Sequence, residues 1–81
     1  MKIDNKSGAG YHRVVSGQRN VAYSVEIDDM VIADYDEHGT VLGIEFVDAK
    51  KHLGDVEKYV KLATQKSMGP HRIPEKVPDA G

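Results

Sequence analysis

The 81-residue sequence predicts an α+β protein: an antiparallel β-meander of four or five strands with a C-terminal helix packed on one face. Three observations carry that reading. Val21, Tyr23, Val25 and Ile27 alternate with Ala22, Ser24 and Glu26, the period of a half-buried strand. Two clusters with turn chemistry, Asp28-Asp29 and Asp36-Glu37-His38-Gly39, divide the following apolar residues into two more strands. After Asp48 the apolar spacing changes from two to that of a helix.

In chain order, Met1 to Asp4 reads as a short edge strand and residues 5–10 as a polar loop containing Gly8 and Gly10. Tyr11 to Val15 is a β-prone run that residues 16–20 turn into the meander. In the second hairpin Asp36 opens a type I turn, and Gly39 takes the positive φ that closes it, so Asp36 pairs with Thr40. Regular steps back from there pair Asp34 with Leu42, Ile32 with Ile44, Val31 with Glu45 and Met30 with Phe46. Val31, Ala33, Tyr35, Val41 and Val47 then form a second apolar row on the opposite face. A three-residue loop with Met30 at positive φ would exchange the face on which Val21 to Ile27 lies.

Asp48 and Asp55 stand where they can cap two helical runs, the second reaching Lys66. Leu53, Val56, Val60 and Ala63, with Tyr59 beside them, make its apolar stripe. Pro70, Pro74 and Pro78 disfavour regular structure, so residues 1–66 are expected to form a single small domain and 67–81 a flexible tail.

A chain this short buries only about 60% of the surface its unfolded form exposes, which makes its stability marginal. It has no Cys, which removes disulfides and thiolate metal sites and favours a reducing compartment. With no signal-like apolar run and no 18 consecutive apolar residues, the expectation is a soluble cytoplasmic protein without membrane partners.

The formal net charge of −2 hides a strong segregation. Residues 1–20 carry Lys2, Lys6, Arg13 and Arg19 against Asp4; residues 21–48 carry eight carboxylates and neither Lys nor Arg; residues 49–81 carry seven basic groups and four acidic ones. An acidic sheet repels a phosphate backbone, so no nucleic acid is expected along it, whereas a basic protein would be steered to it. The simplest expectation is that the basic flanks neutralise the acidic centre within the chain.

Asp34, Asp36, Gly39, Val41 and Glu45 fall at positions 1, 3, 6, 8 and 12 of a calcium-loop pattern. His38 occupies an oxygen-ligand position, and the flanks are strand-like, so no calcium site is expected. The four histidines are scattered without metal-ligand spacing, no Ser sits in a nucleophile motif, and no cofactor or catalytic residue is assigned. The reading is a non-enzymatic binding module, or else a self-associating structural or regulatory domain; a small hydrolase or metal protein is the remote alternative. An apolar row that one short helix leaves uncovered marks an interaction surface, which places partner contacts at Asp34, Tyr35, Asp36, Val41, Glu45 and Val47.

The string VEIDDMVIADYDEHGTVLGIEFVDAKKHL, Val25 to Leu53, resembles the small bacterial family called domain of unknown function 2283, the similarity running from about Val21 to Leu53. The resemblance rests on Asp28-Asp29, Asp34-Tyr35-Asp36-Glu37, Gly39, Gly43-Ile44-Glu45 and Asp48-Ala49. Met30 stands where that family usually has Gly. The resemblance implies a compact antiparallel sheet with a helix and no established catalytic residue. It also implies a relation to antitoxins that neutralise small, basic, ribonuclease-like toxins.

Overall fold

A computed structural model of the chain describes residues 1–17 and 19–67, and the expected tail lies, from residue 68 on, outside them. Five strands, β1 (Lys2–Ile3), β2 (Gly10–Arg13), β3 (Tyr23–Asp28), β4 (Val31–Tyr35) and β5 (Val41–Phe46), form one sheet in the order β1-β2-β5-β4-β3. Every neighbouring pair is antiparallel. A 3₁₀ turn at Ala49–His52 leads into the α-helix α1 (Val56–Gln65). The meander and the C-terminal helix expected from the sequence are both present. The N-terminal residues extend the sheet beside β5, and the connection from β2 to β3 crosses the β4–β5 hairpin end, where the Ala22 amide donates to the Tyr35 carbonyl at 2.8 Å.

The β4–β5 turn forms as its residues dictate. The Asp36 amide donates to the Thr40 carbonyl at 3.0 Å, the Gly39 amide donates to the Asp36 carbonyl at 3.0 Å, and Gly39 has φ 83°. Beyond the turn the expected register is corrected. Tyr35 pairs with Val41, but Asp34 then pairs with Gly43, Ala33 with Ile44, Ile32 with Glu45 and Val31 with Phe46. Leu42 is the extra residue of a β-bulge, and that one insertion reverses the facing of the rest of β5.

The physical reason is visible in the two patterns. β4 carries its apolar residues at 31, 33 and 35, whereas β5 carries Ile44 and Phe46, an even row; without a bulge, each face would mix apolar and charged side chains. With it, Val31, Ala33, Tyr35, Ile44 and Phe46 share one face and are all fully buried. Met30 adopts φ 60° in the two-residue turn between Asp28 and Val31, and a register shift between Glu26 and Asp28 brings Tyr23 opposite Tyr35 and Val25 opposite Ala33 on that same face.

Helix α1 covers this face with Tyr59 and Ala63, helped by the partly buried Val56, Val60 and Leu62. An isolated helix of this length is marginal in water, so it is docking that holds it. Each fully buried large side chain contributes on the order of 1.5–3 kcal/mol, and Phe46, Ile44, Tyr35 and Val31 supply most of that. Phe46, Tyr59 and His52 interlock, with ring centroids 5.3 to 5.7 Å apart. Leu53, expected in the stripe, is instead 61% exposed because it lies in the turn before α1. Asp48 and Asp55 occupy the N-cap positions without side-chain capping bonds. Asp48 lies 3.8 Å from Lys51, and Asp55 3.6 Å from His52.

Candidate functional site on the open face of the sheet

The sheet face opposite α1 is polar, and the strand register lays it out in two rows. One row runs Lys2, Tyr11, Glu45, Ile32, Glu26, from β1 through β2, β5 and β4 to β3. The next runs Arg13, Gly43, Asp34, Ser24. Asp34 is the hub: the Ser24 hydroxyl donates to Oδ1 at 2.6 Å and the Tyr11 hydroxyl donates to Oδ2 at 3.1 Å.

Tyr11 reaches Asp34 from two strands away because Gly43 lies between them. A Cβ placed on Gly43 would stand 2.1 Å from the Tyr11 Oη, so only a residue without a side chain lets the ring lie across the sheet. Burial and the nearby Asp34 carboxylate push the Tyr11 phenol up to about 12. It therefore stays a neutral hydrogen-bond donor throughout the physiological range. A wide-open groove of about 460 Å³, lined by Ile3, Ala9, Gly10, Tyr11 and Glu45 among others, runs beside it toward β1.

Charge is segregated across the sheet in the same direction. Lys2, Lys6 and Arg13 sit at the β1–β2 side, and Arg13 is turned onto the backbone carbonyls of Val15 and Gly17. Glu45, Asp34, Glu26, Asp28 and Asp29 occupy the other side. Among the described residues none of these five has a Lys or Arg nitrogen within 4.0 Å; the cationic pairs are Arg19 with Asp36 at 3.3 Å and Lys51 with Asp48. Among the described residues, direct pairing of the acidic centre with the basic flanks thus involves Asp36 and Asp48. Asp28 is held below the usual carboxylate range, first by the Asp29 amide and then by the Tyr59 hydroxyl, with weaker help from Lys58.

The six residues expected at a partner surface separate into three groups. Asp34 and Glu45 lie on the open face. Tyr35 and Val41 do not form an exposed row: Tyr35 is fully buried beneath α1, with its hydroxyl donating to the Ala63 carbonyl at 2.7 Å, and Val41 is buried in the same core. The bulge at Leu42 is the cause, since it turns the row that contains them toward the helix. Asp36 is a turn residue whose Oδ1 accepts the His38 amide at 2.8 Å and the Thr40 amide at 2.9 Å. Those bonds, led by Thr40, hold its carboxyl below the usual range. Val47 is 40% exposed just beyond β5, its amide bonded to the Met30 carbonyl.

The open-face residues that sequence reasoning passed over are Tyr11, Ser24 and Glu26. Gly43 inside a strand was the available signal, because such a glycine marks a close approach. Among the described residues no three His, Cys, Asp or Glu side chains are placed to hold a metal ion. The calcium-loop positions are dispersed: Asp36 serves its turn, Asp34 its hydrogen-bond network, and Glu45 pairs with Ile32 well along β5. No helix of the described residues is long and apolar enough to cross a membrane.

The fold and this face define a small α+β sheet domain with one helix-covered face and one polar face organised around a carboxylate. Residues 13–50, just under half of the chain, match the family model described as Protein of unknown function (DUF2283), the family that the sequence resembles. The match begins at the last residue of β2, earlier than the resemblance at Val21, and ends within the 3₁₀ turn. Comparison with curated proteins and with solved structures gave no match.

Proposed function

We propose that the chain is a small binding module, without catalytic chemistry of its own, that receives a cationic protein on the acidic side of its open sheet face. The observation that carries this reading is the set Glu26, Asp34 and Glu45 on that face, with Asp28 and Asp29 at its β3 end, none with a Lys or Arg within 4.0 Å among the described residues. Such a surface raises the local concentration of a basic partner and speeds encounter. Asp34 and Glu45 are the central contacts, with Tyr11 offering a neutral donor and an aromatic surface beside them.

Binding is favoured over catalysis because Ser24, the hydroxyl nearest a carboxylate, bonds Asp34 directly with no imidazole between them. The partner class that the family resemblance implies is a small basic nuclease-type protein, which the module would neutralise in the manner of an antitoxin.

The test is association kinetics between the full chain and the basic protein encoded by the adjacent reading frame. The expected result is a complex whose association rate falls as salt rises from about 0.05 to 0.5 M while dissociation changes less. Glu45→Lys should slow association further. A rate indifferent to salt and to Glu45→Lys, or no complex at all, would sink the reading.

A further inference from the structure

Strand β3 ends the sheet, and it is the long edge. It has six residues and no Pro, whereas the opposite edge, β1, has two. Natural edges of this length are usually blunted or covered, because their free amides and carbonyls template another strand. Among the described residues no segment pairs with the outer side of β3.

We propose that this edge is a strand-addition site for an extended, lysine- or arginine-rich segment of the partner; the inference rests on the cationic-partner reading and says where and how that partner is held. Main-chain hydrogen bonds along Tyr23–Asp28 supply the pairing. Carboxylates on both sides supply the selectivity: exposed Glu26 on the open face, Asp28 on the helix side beside Tyr59, and Asp29 in the turn.

The charge pattern also decides against two other occupants. A second copy paired through its own β3 about a two-fold axis would join two edges that both carry Glu26, Asp28 and Asp29 and neither Lys nor Arg, and like charges brought together across strands destabilise. Head-to-tail stacking onto a second copy's β1 offers complementary charge, but β1 is two residues long and cannot satisfy a six-residue edge.

The experiment titrates the isotope-labelled full chain with a peptide of about ten residues alternating Lys and Val, and with the same peptide N-methylated at every second amide. Methylation removes donors from one edge of the peptide and leaves its charge unchanged. Expected is slowed hydrogen exchange at those amides of Tyr23–Asp28 that exchange rapidly in the free chain, with binding weakened about tenfold or more by methylation.

Equal binding of both peptides, with changes at Asp34 and Glu45 instead, overturns strand addition and leaves the cationic-partner reading standing. If neither peptide binds at low salt, strand addition is overturned, and the association kinetics with the adjacent gene's product decide the broader reading. Slow exchange in the free chain at every amide of Tyr23–Asp28, including those not bonded to β4, also overturns it. A concentration-independent monomer in sedimentation would then mean that the chain's own residues cover the edge, and a dimer that a second copy does.

Discussion

The hydroxyl of Tyr35 donates to the carbonyl of Ala63 across 2.7 Å, joining the middle of the sheet to the last turn of helix α1. Ala63 is within the final four residues of α1, where carbonyls lack intrahelical donors, so the phenol satisfies an end that packing would otherwise leave dry. Burial raises the Tyr35 phenol above its ordinary range, which keeps the donor proton in place. Tyr35→Phe should destabilise the protein by about 1–2 kcal/mol, since it leaves a buried carbonyl unpaired while keeping the ring. Thermal melting should show a loss of roughly 5 °C or more, and an unchanged midpoint would refute the role.

Among the described residues Met30 is the one other than glycine with positive φ, at 60°, and its side chain is 51% exposed. It therefore carries left-handed strain without much packing in return. Met30→Gly should stabilise by about 1 kcal/mol, the steric cost of that conformation outweighing the glycine's greater unfolded-state entropy. Met30→Val should do the opposite, because a β-branched residue tolerates the conformation least. Chemical denaturation of the three proteins checks the order.

Gly43 and Tyr11 should behave as a coupled pair. Gly43→Ala places a methyl where the phenol lies, so the ring must leave Asp34. Ultraviolet titration should then show the Tyr11 phenol falling from about 12 toward the ordinary value near 10. Because the folded-state value is raised, Tyr11 contributes stability fully below about pH 10 that is lost as pH rises toward 12. Gly43→Ala should abolish that alkaline dependence, and adding Tyr11→Ala to it should cost less than Tyr11→Ala does in the parent chain. Additive losses would show that the two residues do not interact.

Asp36 acts oppositely in acid. Its carboxyl is lowered first by the Thr40 amide and then by the His38 amide, so its contribution is present above about pH 4 and disappears as pH falls through the lowered value. Asp36→Asn keeps an acceptor oxygen for the turn but cannot titrate; its stability at neutral pH should fall less than that of Asp36→Ala, and its acid dependence should be shallower. Equal pH slopes for the parent and Asp36→Asn would show that another carboxylate governs the acid transition.

Much of the architecture was written locally. Alternation along the third strand, the Asp36-to-Gly39 turn and the helical spacing of Val56, Tyr59, Val60 and Ala63 each depend on residues close in sequence, and each appears, although β3 starts at Tyr23 and leaves Val21 outside it and exposed. The turn even determined the first pairs of its hairpin, Asp36 with Thr40 and Tyr35 with Val41.

What only the tertiary structure decided is which face each row occupies, and with it the candidate site. A bulge at Leu42 and a left-handed Met30 are local irregularities that regular stepping along strands cannot foresee. They are selected because together they gather Tyr23, Val25, Ala33, Ile44 and Phe46 under one helix and put Glu26, Asp34 and Glu45 on the other face. The gain from burying a single continuous apolar face exceeds the cost of one unpaired residue and one strained one. Tyr35 and Val41 thereby became core, and Tyr11, brought in by a strand more than thirty positions from its partner β5, became part of the open face.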